Sequence, residues 1–144
     1  MKRNLLAIAL AAASMTLATT QATAADKAPE QIIAEARAAI KQVSVEDVKR
    51  VIDTKENVVI LDVRDQPELA DGRIPGAVNI SRGMLEFMAG SVLTDKNAKI
   101  VVYCSLDMRG PLATRTLNQL GYHNAVNMAG ALKAWQAAGY PLAK

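Results

Sequence analysis

The chain is poor in reactive and aromatic side chains: one cysteine (Cys104), one histidine (His123) and one tryptophan (Trp135) in 144 residues, with aromatics at 3%. A lone cysteine excludes an internal disulfide, and one cysteine with one histidine cannot build a zinc site. No metal and no cofactor is expected. A strong charge of one sign is also missing, since 17 basic residues face 14 acidic ones. Beyond the first residues no arginine or lysine cluster occurs, so the basic patch of a nucleic-acid binder is absent and no nucleic-acid partner is expected. Spanning a membrane takes about 20 predominantly apolar residues. The one long apolar run, near the start, is interrupted by Ser14, Thr16, Thr19, Thr20 and Gln21.

What is present at that start is a three-part leader. Met1-Lys2-Arg3 is basic, Leu5 to Ala13 is apolar, and small residues close the segment. That order is the pattern of a secretory signal. Ala22-Thr23-Ala24 and Thr23-Ala24-Ala25 are equally usable frames, so cleavage is expected after Ala24 or Ala25. Residues 1–25 are read as a signal peptide, with the mature chain exported to the periplasm and not stably inserted in the membrane. No cysteine follows for lipid attachment. Cleavage removes Lys2 and Arg3 with no acid, which brings the net charge from +3 close to neutral. About 120 residues remain, enough for one domain with a core. An unpaired thiol in an oxidising compartment is either buried and inert or reactive.

The mature chain divides into an N-terminal helical lead, residues 26–43, and a domain over 44–144. Positions 30–42 suit a helix with Ile32, Ile33, Ala36 and Ile40 as its apolar stripe. Ser44, followed three residues on by Asp47, opens a second helix over 45–52. Short, β-branched apolar runs at 58–63, 77–80, 99–103 and 125–128 read as buried strands. Helices are expected at 82–90, with Met84, Leu85 and Met88 inward, at 111–120 from Pro111 to Gly121, and at 131–138. Buried strands alternating with helices specify an α/β fold, a doubly wound parallel sheet covered on both faces. Ligands of such sheets sit beyond the carboxyl ends of the strands.

That rule points to Cys104-Ser105-Leu106-Asp107-Met108-Arg109-Gly110-Pro111, which joins a buried strand to a helix. Backbone N–H groups of such a loop converge on one point, and the helix adds its unsatisfied N–H groups. An anion or a thiolate is held well there, and the thiolate is the nucleophilic form of cysteine. A structural cysteine usually lies within a strand or helix. Cys104, at a strand end before a helix, is read as reactive.

Three segments then carry a family resemblance. LDVRDQPELADGRIPGAVNI (61–80), VVYCSLDMRGPLAT (101–114) and NMAGALKAW…AGYPL (127–142) occur in order and resemble the rhodanese signature, its cysteine loop and its closing segment. The resemblance implies a single rhodanese domain with a central five-stranded parallel sheet flanked by helices. It implies Cys104 as the catalytic nucleophile, with Ser105, Leu106, Asp107, Met108, Arg109 and Gly110 holding the substrate. Rhodaneses leave four residues between cysteine and arginine, and related phosphatases of the same fold leave five. Cys104 to Arg109 leaves four, so sulfur transfer is expected over phosphatase chemistry. The implied partners are a small sulfur-donor anion, thiosulfate or a persulfide, a thiol acceptor, and a redox or sulfur-carrier protein. Thiosulfate would leave its outer sulfur on Cys104 as a persulfide, and Arg109 would steady the anion. The alternative within the family is a carrier or docking module with little thiosulfate turnover.

The chain departs from the family pattern at three positions. Asp107 replaces the usual loop glycine, Gly110 a frequent serine, and Arg73 the usual histidine. Asp107 is expected in a left-handed backbone conformation, pointing outward or paired with Arg109, Arg82 or Arg73. Asp62 and Arg64 are read as a structural ion pair, with Glu68 a local partner for Arg64. Trp135, Met84, Met88 and Met128 are read as packing residues, Met108 as lying at the pocket rim and His123 as a turn or surface residue.

Overall fold

The computed structural model describes residues 26–144. The expected signal segment, residues 1–25, lies outside them. Five strands form one parallel sheet: β1 (Gln42–Val43), β2 (Val59–Asp62), β3 (Val78–Asn79), β4 (Ile100–Tyr103) and β5 (Ala125–Met128). Their spatial order is β1-β5-β4-β2-β3. Five helices accompany them: α1 (Pro29–Ala38), α2 (Val45–Asp53), α3 (Leu85–Val92), α4 (Arg109–Gln119) and α5 (Ala131–Ala137). Tight 3-10 turns cover Gln66–Asp71 and Arg82–Met84. Among the described residues no helix is long and apolar enough to cross a membrane.

The pleat of the central strand sorts the core into two layers. Successive side chains of a strand point to opposite faces. Ile100, Val102 and Cys104 therefore pack with Leu85, Ala89, Ala113 and Leu117, under α3 and α4. Val101 and Tyr103 pack on the other face with Val48, Leu132 and Trp135, under α2 and α5. Cys104 is thus the last residue of an inward-facing row, which aims its side chain at the start of α4.

A buried ion pair ties the end of β2 to the turn that follows. Arg64 donates to both oxygens of Asp62, at 2.7 to 3.0 Å, and to the carbonyls of Glu68 and Gly72. Tyr103 Oη donates to Asp62 Oδ2 at 2.7 Å and accepts from Ile74 N–H. Burial of Tyr103 and the negative charge of Asp62 raise its phenol far above the ordinary range. Every charged atom taken from water here has a partner, which is the condition for such a pair to be tolerated.

Several expected boundaries are corrected. The first helix ends at Ala38, and Gln42, expected as its last residue, forms with Val43 the edge strand β1, paired with Asn127 and Met128. Two residues carry no readable alternation, so this strand exists because β5 offers it a parallel edge. α1 packs on α4, so the lead belongs to the fold. The helix expected over 82–90 is a 3-10 turn followed by α3, which shifts its phase. Leu85 and Ala89 face the core, whereas Met84 and Met88 are 47% and 37% exposed, contrary to the packing role read for them. Met128 and Trp135 are buried, and His123 is exposed in the turn before β5. Finally, α4 starts at Arg109 and not Pro111, so Arg109 and Gly110 form its first turn.

Candidate active site

Cys104 lies at the carboxyl end of β4 with only 1% of its surface exposed. The chain turns from it through residues 105–108 and enters α4. Gly110 N–H, one of the N–H groups that helix geometry leaves free, donates to Cys104 Sγ at 3.3 Å. The sulfur therefore sits at the positive end of an eleven-residue helix. That placement stabilises negative charge on sulfur.

The carbonyls of the loop are turned away from this point by three external donors. Leu132 N–H and Lys133 N–H, in the first turn of α5, donate to the carbonyls of Cys104 and Ser105 at 2.9 and 3.2 Å. Arg37 Nη2, from α1, donates to the Asp107 carbonyl at 2.7 Å. In a trans peptide the N–H of the next residue points opposite to the carbonyl. The N–H groups of Ser105, Leu106 and Met108 are thus directed away from α5 and α1. Ser105 is half-buried, while Leu106 and Met108 are exposed. These two form an apolar rim.

Arg109 does not stand free. It makes a two-pronged pair with Glu68, at 2.7 and 2.8 Å, and donates to Ser105 Oγ at 3.1 Å, with Asp65 at 3.6 Å. Ser105 Oγ donates to Glu68 Oε1 at 2.7 Å. Hydrogen bonding from Arg109, helped by Ser105, holds the Glu68 carboxyl down at about 2. The same partner raises Arg109. Glu68, expected beside Arg64, gives that residue only its backbone carbonyl. Its carboxylate instead crosses to the cysteine loop. Among the residues of the site that the sequence reading missed are Glu68 and Asp65, both beside Arg109. The signal available was an acidic helix directly after Arg64.

Asp107 adopts the left-handed conformation expected of it, with φ at +61°. Its carboxylate meets none of Arg109, Arg82 or Arg73. It accepts instead from Asn127 Nδ2 at 2.8 Å and Gly130 N–H at 3.3 Å, and pairs with Arg37 at 3.4 Å. Arg82 is bound to Glu86 and Thr116, and Arg73 pairs through its backbone with Ala143. Arg109 and Arg82 are held by other side chains, while Arg37 reaches the loop because α1 packs on α4. Among the described residues no group of three or more His, Cys, Asp or Glu could hold a metal ion.

Comparison with known proteins places this geometry in context. The model of the rhodanese-like domain matches residues 44–138. The chain is 31% identical over 100 residues to the thiosulfate sulfurtransferase GlpE of Pseudoalteromonas translucida, covering 69% of this chain and 92% of that one. It is also 31% identical over 101 residues to YrkF of Bacillus subtilis, provisionally named a sulfur carrier protein. There the match covers 70% of this chain but spans only 54% of the relative. Among solved structures, a Rhodopseudomonas palustris protein of unknown function, described as a candidate tyrosine phosphatase, superposes with a TM-score of 0.77 at 28% identity. That match covers 84% of this chain and 98% of the other.

Proposed function

The chain belongs to the rhodanese-like domain family, and from that premise we propose that it transfers sulfane sulfur through a persulfide on Cys104. The observation that carries the reading is the placement of Sγ: the end of β4, on the Gly110 N–H, within a ring that leaves four residues before Arg109. The donor in this reading is thiosulfate or a small persulfide, and the acceptor is a thiol.

Two half-reactions follow. The Cys104 thiolate attacks the outer sulfur of thiosulfate, an S–S bond forms to Cys104, and the bond to the sulfonate sulfur breaks with its electron pair leaving as sulfite. An acceptor thiolate then attacks the outer sulfur of the persulfide, and the Cys104 thiolate leaves. No external oxidant or reductant is needed. Negative charge at the sulfur is stabilised by Gly110 N–H and the other N–H groups at the start of α4, an arrangement already in place before reaction. Arg109 stands in this scheme at the edge of the ring, its guanidinium oriented and its charge balanced by Glu68, with Ser105 as a further acceptor. Against phosphoryl transfer stands the ring size: four intervening residues give a small cradle that suits one sulfur atom. We place the reaction in the periplasm, on the strength of the leader in residues 1–25.

Intact-mass spectrometry of the protein before and after thiosulfate tests this directly. We expect a gain of one sulfur atom, lost on adding cyanide and absent in Cys104→Ser. No gain from thiosulfate or from an organic persulfide would overturn the enzyme reading and leave a docking module. Hydrolysis of an aryl phosphate dependent on Cys104 would replace it with a phosphatase.

A further inference from the structure

Both unusual loop residues, Asp107 and Gly110, meet the same side chain. Asn127, on β5, is 1% exposed and donates from Nδ2 to Asp107 Oδ1 at 2.8 Å. Its other amide atom, Oδ1, lies where a Cβ on residue 110 would stand, so any side chain at 110 would collide with it. Asn127 Oδ1 is also buried without a hydrogen-bond partner. That is a state with a penalty, which signals that the side chain is held by what its Nδ2 binds. Gln42, the β1 neighbour of Asn127, adds a weaker contact at 3.4 Å.

Arg37 completes the arrangement from outside the segment matched by the family model, residues 44–138. It sits in the last turn of α1 and reaches Asp107 with one nitrogen, at both carbonyl and carboxylate. The carbonyl contact fixes the peptide that carries the Met108 N–H. The carboxylate contact offsets a negative charge that would otherwise oppose an anion beside Cys104.

We infer that Arg37, Asp107 and Asn127 form a positioning network that makes helix α1 part of the cysteine site. In it Asp107 braces the loop from behind and keeps its carboxylate off the sulfur. The network replaces the freedom that a glycine at 107 would supply with a fixed, charge-balanced turn. None of the three touches the reacting atoms. They act through the backbone of residues 107 and 108 and through the charge that Arg37 holds in place.

This inference rests on Cys104 being the reacting atom. Alkylation of Cys104, the only thiol, tests it without requiring sulfur transfer, so its failure is distinct from failure of the proposed function. The readout is the ratio of alkylation rates by iodoacetate, an anion, and iodoacetamide, its neutral counterpart, at one pH. Dividing the two rates cancels changes in the access and ionisation of the thiol, and a thermal melt of each variant checks that it is folded. In Arg37→Met the ratio should fall about twofold to threefold, the effect of an unbalanced charge at a site near the surface. Asn127→Ser, which frees the carboxylate from its other side-chain donor, should lower the ratio in the same direction. On an Asp107→Asn background the effect of Arg37→Met should shrink to less than half. A ratio unmoved by both single variants would overturn the network. So would an equal fall with and without the Asp107 carboxylate, because Arg37 would then act only as a distant charge.

Discussion

Glu68 and Arg109 set the charge at the mouth of the Cys104 loop, and a proton can undo the pairing. Glu68 titrates at about 2 in the folded chain against an ordinary 4.5. A carboxyl depressed on folding stabilises the fold above its unfolded value and loses that contribution as pH falls through the folded one. The contribution of this pair is therefore complete above about 4.5 and fades towards about 2. Urea midpoints measured between those values should fall less steeply in Glu68→Gln than in the wild type. Gly110 gives a second prediction on the same scale. In Gly110→Ala the new Cβ would collide with Asn127 Oδ1 and lie 3.8 Å from Cys104 Sγ. Forcing a methyl group into such a packed site costs about 1–3 kcal/mol, which chemical denaturation would register. Combining it with Asn127→Ser should recover part of the loss.

Among the elements, the end of β2 and the turn after it depend on one guanidinium. Arg64 holds Asp62, the Glu68 carbonyl within the turn at Gln66–Asp71 and the Gly72 carbonyl just after it, and this turn carries Glu68 to the loop. Arg64→Ala leaves a buried carboxylate without its charge partner, a change that costs about 3–5 kcal/mol. Thermal melts should show that loss, and Arg109 should lose its ordered partner with it. The elements also show why sequence reading succeeded unevenly. β2 and β4 were legible because strands buried on both faces are continuous β-branched runs, and Val59–Asp62 and Ile100–Tyr103 are such runs. β1 was not, since two residues pair only because a neighbouring edge is there. On α3 Leu85 faces inward as expected, but Met84 and Met88 do not, because a 3-10 turn precedes the helix and its core side falls at Leu85 and Ala89, one turn apart.

For the molecule as a whole, the cysteine and its loop were legible from local order, strand then loop then helix. The contacts that finish the site were not. Arg37 and Asp107 lie 70 residues apart, and Glu68 and Arg109 lie 41 apart. Only the packing of α1 on α4, and of the turn after β2 on the loop after β4, brings them together. In the proposed export the position of cleavage bears on this directly, because α1 starts at Pro29, a few residues after either expected frame. Purification from the periplasm of an expressing bacterium should give a chain starting at Ala25 or Asp26, read by its mass. Retention of the whole chain in the cytoplasm would contradict the leader. The close approach of Asn127 Oδ1 to residue 110 also joins two elements. The first turn of α4 can lie this near β5 only while residue 110 carries no side chain or the Asn127 amide turns aside, so a change at either position is felt at the other, beside Cys104.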